Sequence, residues 1–181
     1  LLPLPISGVE GLTARWNVDW GGETGRFNLA FDLWISSAPQ GGPQAIRQEV
    51  MVWVKRGEFP SSGEVADQVS QGGLAGPLHH DPDHGNAPGE SWGYFAWLPE
   101  TGEGLRRGEL DLGALLTRLA AEGRVDADGW LTSVEFGPEI TGGEGWLAIT
   151  EFSVTREGGL EIGAGHGTEI AIPPPPPPGD F

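Results

Sequence analysis

The chain predicts an all-β protein, a sandwich of two mainly antiparallel sheets with one short helix packed on the outside. Three observations carry this. Four stretches alternate apolar and polar residues with period two, the signature of half-buried strands. The 31 glycines and 16 prolines among 181 residues punctuate the chain as turns do. Only one segment, 111–123, has helical periodicity.

Residues 12–20 set Leu12, Ala14, Trp16, Val18 and Trp20 on one face, and Gly21-Gly22 ends the strand. Residues 26–36 set Phe27, Leu29, Phe31, Leu33 and Ile35 against Asn28, Ala30, Asp32 and Trp34. Residues 48–55 set Val50, Val52 and Val54 against Glu49, Met51 and Trp53. An acid beside a thioether and an indole is not an ordinary solvated surface; it suits a groove that holds something flat and partly apolar. Pairing Asp32 with Glu49 in an antiparallel register would put Ala30 opposite Met51 and Asn28 opposite Trp53. One face would then carry Asn, Asp, Glu, Met and Trp together.

Residues 57–90 read mainly as loops, with one short strand near Val65–Val69. Ser91–Leu98 is a further strand, too apolar for its faces to be assigned. Asp111 is a fitting N-cap, Leu112, Leu115, Leu116 and Leu119 form one stripe, and Gly123 stops the helix. In residues 131–139, Ser133, Glu135, Gly137 and Glu139 face one way and Thr132, Val134 and Phe136 the other. Gly142-Gly143 turns the chain into a strand over 146–154. Residues 1–156 are expected to form the sandwich. Residues 157–181 are expected to be a Gly/Pro-rich tail or linker, with Pro173–Pro178 as polyproline II.

Composition narrows the function. A net charge of −16, with ten Lys and Arg, disfavours nucleic acid and anionic membrane as partners. The absence of cysteine removes disulfides, thiolate metal sites and a thiol nucleophile. No apolar run approaches a membrane span, and no signal peptide is visible. His79-His80-Asp81-Pro82-Asp83-His84-Gly85-Asn86 has no recognisable metal-ligand spacing and reads as a solvated loop. No metal and no cofactor are expected.

Two carboxylates facing each other across a groove are what glycoside hydrolysis requires, and aromatic neighbours suit the apolar faces of sugars. By pattern, Glu49 is one such acid and Glu135 or Glu139 the other.

Three segments resemble the signature of glycoside hydrolase family 12: Phe31-Asp32-Leu33-Trp34, Glu49-Val50-Met51-Val52-Trp53, and Gly137-Pro138-Glu139 followed by Gly142-Gly143. The seventeen-residue spacing from Asp32 to Glu49 matches, as does the helix beginning Leu110-Asp111-Leu112. The resemblance covers about Leu12 to Val154. It implies a β-jelly roll and an endo-acting, retaining β-1,4-glucan hydrolase, acting on cellulose, mixed-linkage glucan or xyloglucan. It implies that Glu49 is the nucleophile, that Glu139 is the acid/base, and that Asp32 modulates the nucleophile. Asn28, Met51 and Trp53 would line the sugar sites, and Trp34 and Glu135 share those faces. The implied partner is β-glucan and the implied setting a secreted monomer. The His79–Asn86 loop would lie near the cleft. The family's additional N-terminal portion, with an Asn-Asn-x-Trp segment, has no counterpart here. A β-glucan-binding jelly roll with weak or lost chemistry is the alternative.

Overall fold

The computed structural model describes residues 2–22, 25–85, 89–157 and 168–171. Eleven strands and one α-helix form among them. The strands are β1 (Leu4–Pro5), β2 (Leu12–Gly21), β3 (Arg26–Ser36), β4 (Ile46–Arg56), β5 (Glu64–Gln71) and β6 (Leu74–His84). Then follow β7 (Trp92–Trp97), β8 (Arg107–Asp111), α1 (Leu112–Ala121), β9 (Trp130–Gly142), β10 (Trp146–Arg156) and β11 (Thr168–Ala171). Seven strands make one sheet in the order β1-β9-β3-β4-β7-β6-β5, and four make the other, β11-β10-β2-β8. Every pairing is antiparallel except β4 with β7. This is the two-sheet sandwich with a single helix that the periodicity predicts.

The core lies between the sheets and is built from the alternate residues read off the sequence. Leu12, Ala14, Trp16, Val18 and Trp20 of β2 are all buried, as are Leu29, Phe31, Leu33 and Ile35 of β3 and Val50, Val52 and Val54 of β4. At its centre Phe31 stacks on Phe136 with centroids 4.5 Å apart, Trp16 meets Phe31 edge-on at 5.2 Å, and Phe136 stacks on Phe152 at 5.6 Å. The Trp16–Phe31 and Phe136–Phe152 pairs join the two sheets, and such aromatic contacts add about 1 kcal/mol each beyond the area they bury. Gly108 is required beneath Trp16, because a Cβ there would come within 2.6 Å of the indole.

Helix α1 begins where Asp111 Oδ1 accepts from the Ala114 amide at 2.8 Å. It buries Leu112, Leu115, Leu116 and Leu119 completely and stops before Gly123, whose φ of 69° suits the C′ position.

Three expectations need correction. The β3–β4 register is shifted by two residues: Asp32 lies opposite Met51, Trp34 opposite Glu49, and Ala30 opposite Trp53. An even shift keeps every side chain on its face, so the period could not reveal it. A bulge between Leu29 and Ala30 then places Asn28 opposite Arg56.

The loops expected over 57–90 are largely a hairpin, β5–β6, and His79–His84 lie in strand β6. Pro77, Gly76 and the acids disguise β6 in the sequence. Pairing with β5 on one edge and β7 on the other overrides its poor intrinsic propensity.

Within the expected tail, Thr168–Ala171 pairs with Trp146–Ile149 as the edge strand of the smaller sheet. The polyproline run and Asn86 lie outside the described residues.

Candidate active site

The seven-stranded sheet turns its second face away from the core, and the acids gather there. Glu49 projects from β4, Asp32 and Asn28 from β3, and Glu135 and Glu139 from β9, the strand on the far side of β3. Glu49 and Glu139 line one cleft of about 340 Å³ together with Met51, His84 and Tyr94, closed on one side by Phe59–Ser62.

Glu49 is 5% exposed and accepts a hydrogen bond from Trp92 Nε1 at 2.7 Å. Burial raises its pKa above the ordinary carboxylate value. The indole N–H and the nearby His84 oppose that rise, while Glu139 and Glu135 add to it.

Asp32 is pushed up to about 8, chiefly by burial and then by the charge of Glu49, with Glu135 and Glu139 contributing and a hydrogen bond with Trp34 opposing. At neutral pH it is therefore mainly a neutral acid beside the Glu49 carboxylate. Its Oδ1 is buried with no hydrogen-bond partner among the described residues.

Glu139 is exposed at the rim and held from two sides by one amide. Asn28 Nδ2 donates to its Oε2 at 2.5 Å, and its own backbone N–H donates to Asn28 Oδ1 at 3.3 Å. Asn28 itself is fully buried, so this clamp fixes where the Glu139 carboxyl stands. Glu135 lies opposite Asp32, exposed, and accepts from Ser133 Oγ at 3.0 Å.

The aromatic and thioether residues divide. Met51 is buried on the cleft floor and accepts a weak hydrogen bond from the Tyr94 hydroxyl at 3.4 Å. Trp34 is half-buried and meets Trp92 edge-on at 5.6 Å. Trp53 shares the acid face but is 2% exposed, packed with Ala30 and Leu98 and met by Phe59 at 5.8 Å. It borders a second pocket, with Arg56, Pro77 and Glu100–Gly102, rather than the one that Glu49 and Glu139 share.

Trp92, which bonds Glu49, and Tyr94, which lines the cleft, escape the sequence reading, whereas His84 falls in the segment expected near the cleft. The first two alternate with Phe95 and Trp97, which enter the main core. The signal was there as period two, but both faces of β7 are buried and apolar, which hides it. Among the described residues no group of three or more His, Cys, Asp or Glu is arranged to hold a metal ion.

No family model matches the chain. Its sequence is 25% identical over 164 residues to Endoglucanase S of Pectobacterium parmentieri, covering 84% of this chain and 57% of that protein. Its fold superposes on a family 12 xyloglucanase from Bacillus licheniformis with a TM-score of 0.77 at 20% identity, covering 85% of this chain and 66% of that one. A metagenome-derived glycoside hydrolase family 12 endoglucanase aligns with a TM-score of 0.71 at 28% identity, covering 86% and 65%. Both of these solved structures are family 12 enzymes, and the likeness to them extends over most of this chain. The chain spans somewhat over half of the curated relative and just under two thirds of these two solved structures.

Proposed function

We propose that this chain is a member of glycoside hydrolase family 12 and an endo-acting β-1,4-glucan hydrolase that works by retaining double displacement. One observation supports this above the rest: Glu49 and Glu139, on strands separated by β3, line a single cleft. The names of the relatives, endoglucanases and a xyloglucanase, point to the same substrate class.

In the first displacement a Glu49 carboxylate oxygen attacks the anomeric carbon. The bond to the leaving glycosidic oxygen breaks, and that oxygen takes the proton of Glu139. In the second, Glu139 removes a proton from water, the water oxygen attacks the anomeric carbon, and Glu49 leaves as carboxylate. Two inversions give net retention. A carboxyl separation of about 5–5.5 Å in a substrate complex accords with this route.

Asp32 modulates the nucleophile. Protonated, it adds no charge against the ionised Glu49, and both close carboxylates need not be charged at once. Asn28 holds Glu139 toward the leaving oxygen. Met51, Trp34 and Glu135 are the further candidates for sugar contact, with Trp53 at the second pocket. Residues 1–156 carry this site. An extracellular setting fits a polymeric substrate, and no helix among the described residues is long and apolar enough to cross a membrane.

The test is release of reducing sugar from barley β-glucan or carboxymethyl-cellulose, compared with Glu49→Gln and Glu139→Gln. Release by the wild type, lost in both variants, is expected. Equal glucan binding by all three proteins, with cleavage by none, would instead mark a glucan-binding jelly roll.

A further inference from the structure

Strand β6 reaches the cleft through an irregularity. It pairs with β7 at Asp81–Tyr94, and the next pair is His84–Trp92, so three steps on β6 match two on β7. Regular pairing would set Asp83 opposite Trp92. The extra residue puts His84 there instead, on the face from which Trp92 donates to Glu49.

The contacts of His84 run in sequence toward the nucleophile. Ser62 Oγ donates to Asp81 Oδ2 at 2.6 Å, and the same oxygen lies 3.3 Å from His84 Nδ1. Because a carboxylate oxygen can only accept, Nδ1 is the ring nitrogen that carries hydrogen in this contact. The imidazole lies against Tyr94, with centroids 4.6 Å apart and planes 29° apart, and meets Trp92 edge-on at 5.6 Å. Trp92 Nε1 then donates to Glu49 Oε2 at 2.7 Å. Among the described residues that line the cleft, His84 is the one whose side chain can carry a positive charge.

We propose that Asp81, His84 and Trp92 form a positioning relay that orients the Glu49 carboxylate and keeps it ionised for attack. The inference rests on the hydrolase reading for its purpose, and on the geometry of β4, β6 and β7 for its substance. Trp92 fixes one carboxylate oxygen and leaves the other to attack. His84 acts on Glu49 in the direction of ionisation, against the acids around it: Asp32 on β3, and Glu135 and Glu139 on β9. Tyr94 on β7 stays neutral, its pKa raised by burial. On β6 itself, Asp81 is held below the usual carboxylate range, first by the Ser62 hydrogen bond, so it stays charged as a counter-ion for the His84 ring. Asp83 accepts from Ser91 Oγ at 2.5 Å. His80 belongs to the other face, where it stacks on Phe95. Without His84, Glu49 would take up its proton at higher pH.

The Trp92 indole N–H offers a direct readout, because its hydrogen bond strengthens when Glu49 ionises. Its resonance, assigned by loss in Trp92→Phe, is followed against pH in the unliganded protein. The wild type is expected to titrate with Glu49, and Glu49→Gln to show no such step. In His84→Phe, which keeps a ring against Tyr94, the midpoint is expected to rise by roughly half to one pH unit. His84→Gln should raise it likewise and serves as the second variant should the first misfold. The acid limb of kcat/KM on soluble β-glucan should move in the same direction, with KM changed less than about twofold. A midpoint unchanged in both folded His84 variants overturns the proposal. A wild type that cleaves no glucan, yet whose midpoint moves as stated, supports the relay and sinks only the hydrolase reading.

Discussion

The two faces of the seven-stranded sheet are made by the same strands and differ in everything else. On β3, Leu29, Phe31, Leu33 and Ile35 enter the core while Asn28, Asp32 and Trp34 turn to the cleft; on β4, Val50, Val52 and Val54 oppose Glu49, Met51 and Trp53. The core face is held by aromatic contacts among Trp16, Phe31 and Phe136. The cleft face holds four carboxyls, and burial together with the neighbouring acids raises the proton affinity of two of them, Asp32 and Glu49. The pleat makes this possible: a side-chain period of two lets a rigid apolar layer fix the backbone of residues whose own interactions oppose folding. The core face should therefore govern stability, and the cleft face activity.

The sharpest way to break that division is Glu49→Gln. Loss of the nucleophile should lower glucan hydrolysis by about 10³-fold or more while the unfolding midpoint holds or rises. A large loss of stability would show that the acids support the fold. The reciprocal change, Phe31→Ala, empties the centre of the core and should cost about 3–5 kcal/mol in urea unfolding. A loss below about 1 kcal/mol would contradict the central role given to the ring stack.

Asp32→Asn sharpens the comparison through pH. The folded pKa of Asp32, about 8, lies above the ordinary value of 3.8, so the folded state holds the proton more tightly than the unfolded chain. Stability from this group is complete below about pH 4 and is lost as pH rises through about 8. The amide that replaces the carboxyl cannot ionise. The variant should match the wild type near pH 4 and exceed it by on the order of a few kcal/mol near pH 9, read from urea midpoints. A gap that does not widen with pH would show that Asp32 is not held as a neutral acid.

Asp111→Ala belongs to neither face and calibrates both. Loss of the α1 cap should cost about 1 kcal/mol and leave kcat/KM unchanged.

Much of this contrast is legible in the sequence because it is written in period two. The faces of β2, β3, β4 and β9 follow from alternation alone, and α1 from its leucine stripe, its cap and Gly123. What alternation cannot carry is register, since a two-residue shift leaves every face intact; hence Asp32 meets Met51 and not Glu49. Nor can it reveal neighbours. The parallel partnership of β4 with β7, which brings Trp92 to Glu49, joins segments more than forty residues apart with no local sign. Trp53 follows alternation to the correct face, yet Phe59, from the segment after β4, packs against it. His84 is the extreme case. Its side is set by a bulge, in a stretch whose prolines and acids read as loop.

The most direct test of the account is to trap the reaction halfway. A 2-deoxy-2-fluoro cello-oligosaccharide with an activated leaving group slows the second displacement, and the protein is then digested and its peptides weighed. The account predicts one glycosyl adduct, on Glu49 in the segment Gln48–Lys55, absent from Glu49→Gln. An adduct on Glu135 or Glu139, or turnover that inverts the anomeric carbon, would contradict it.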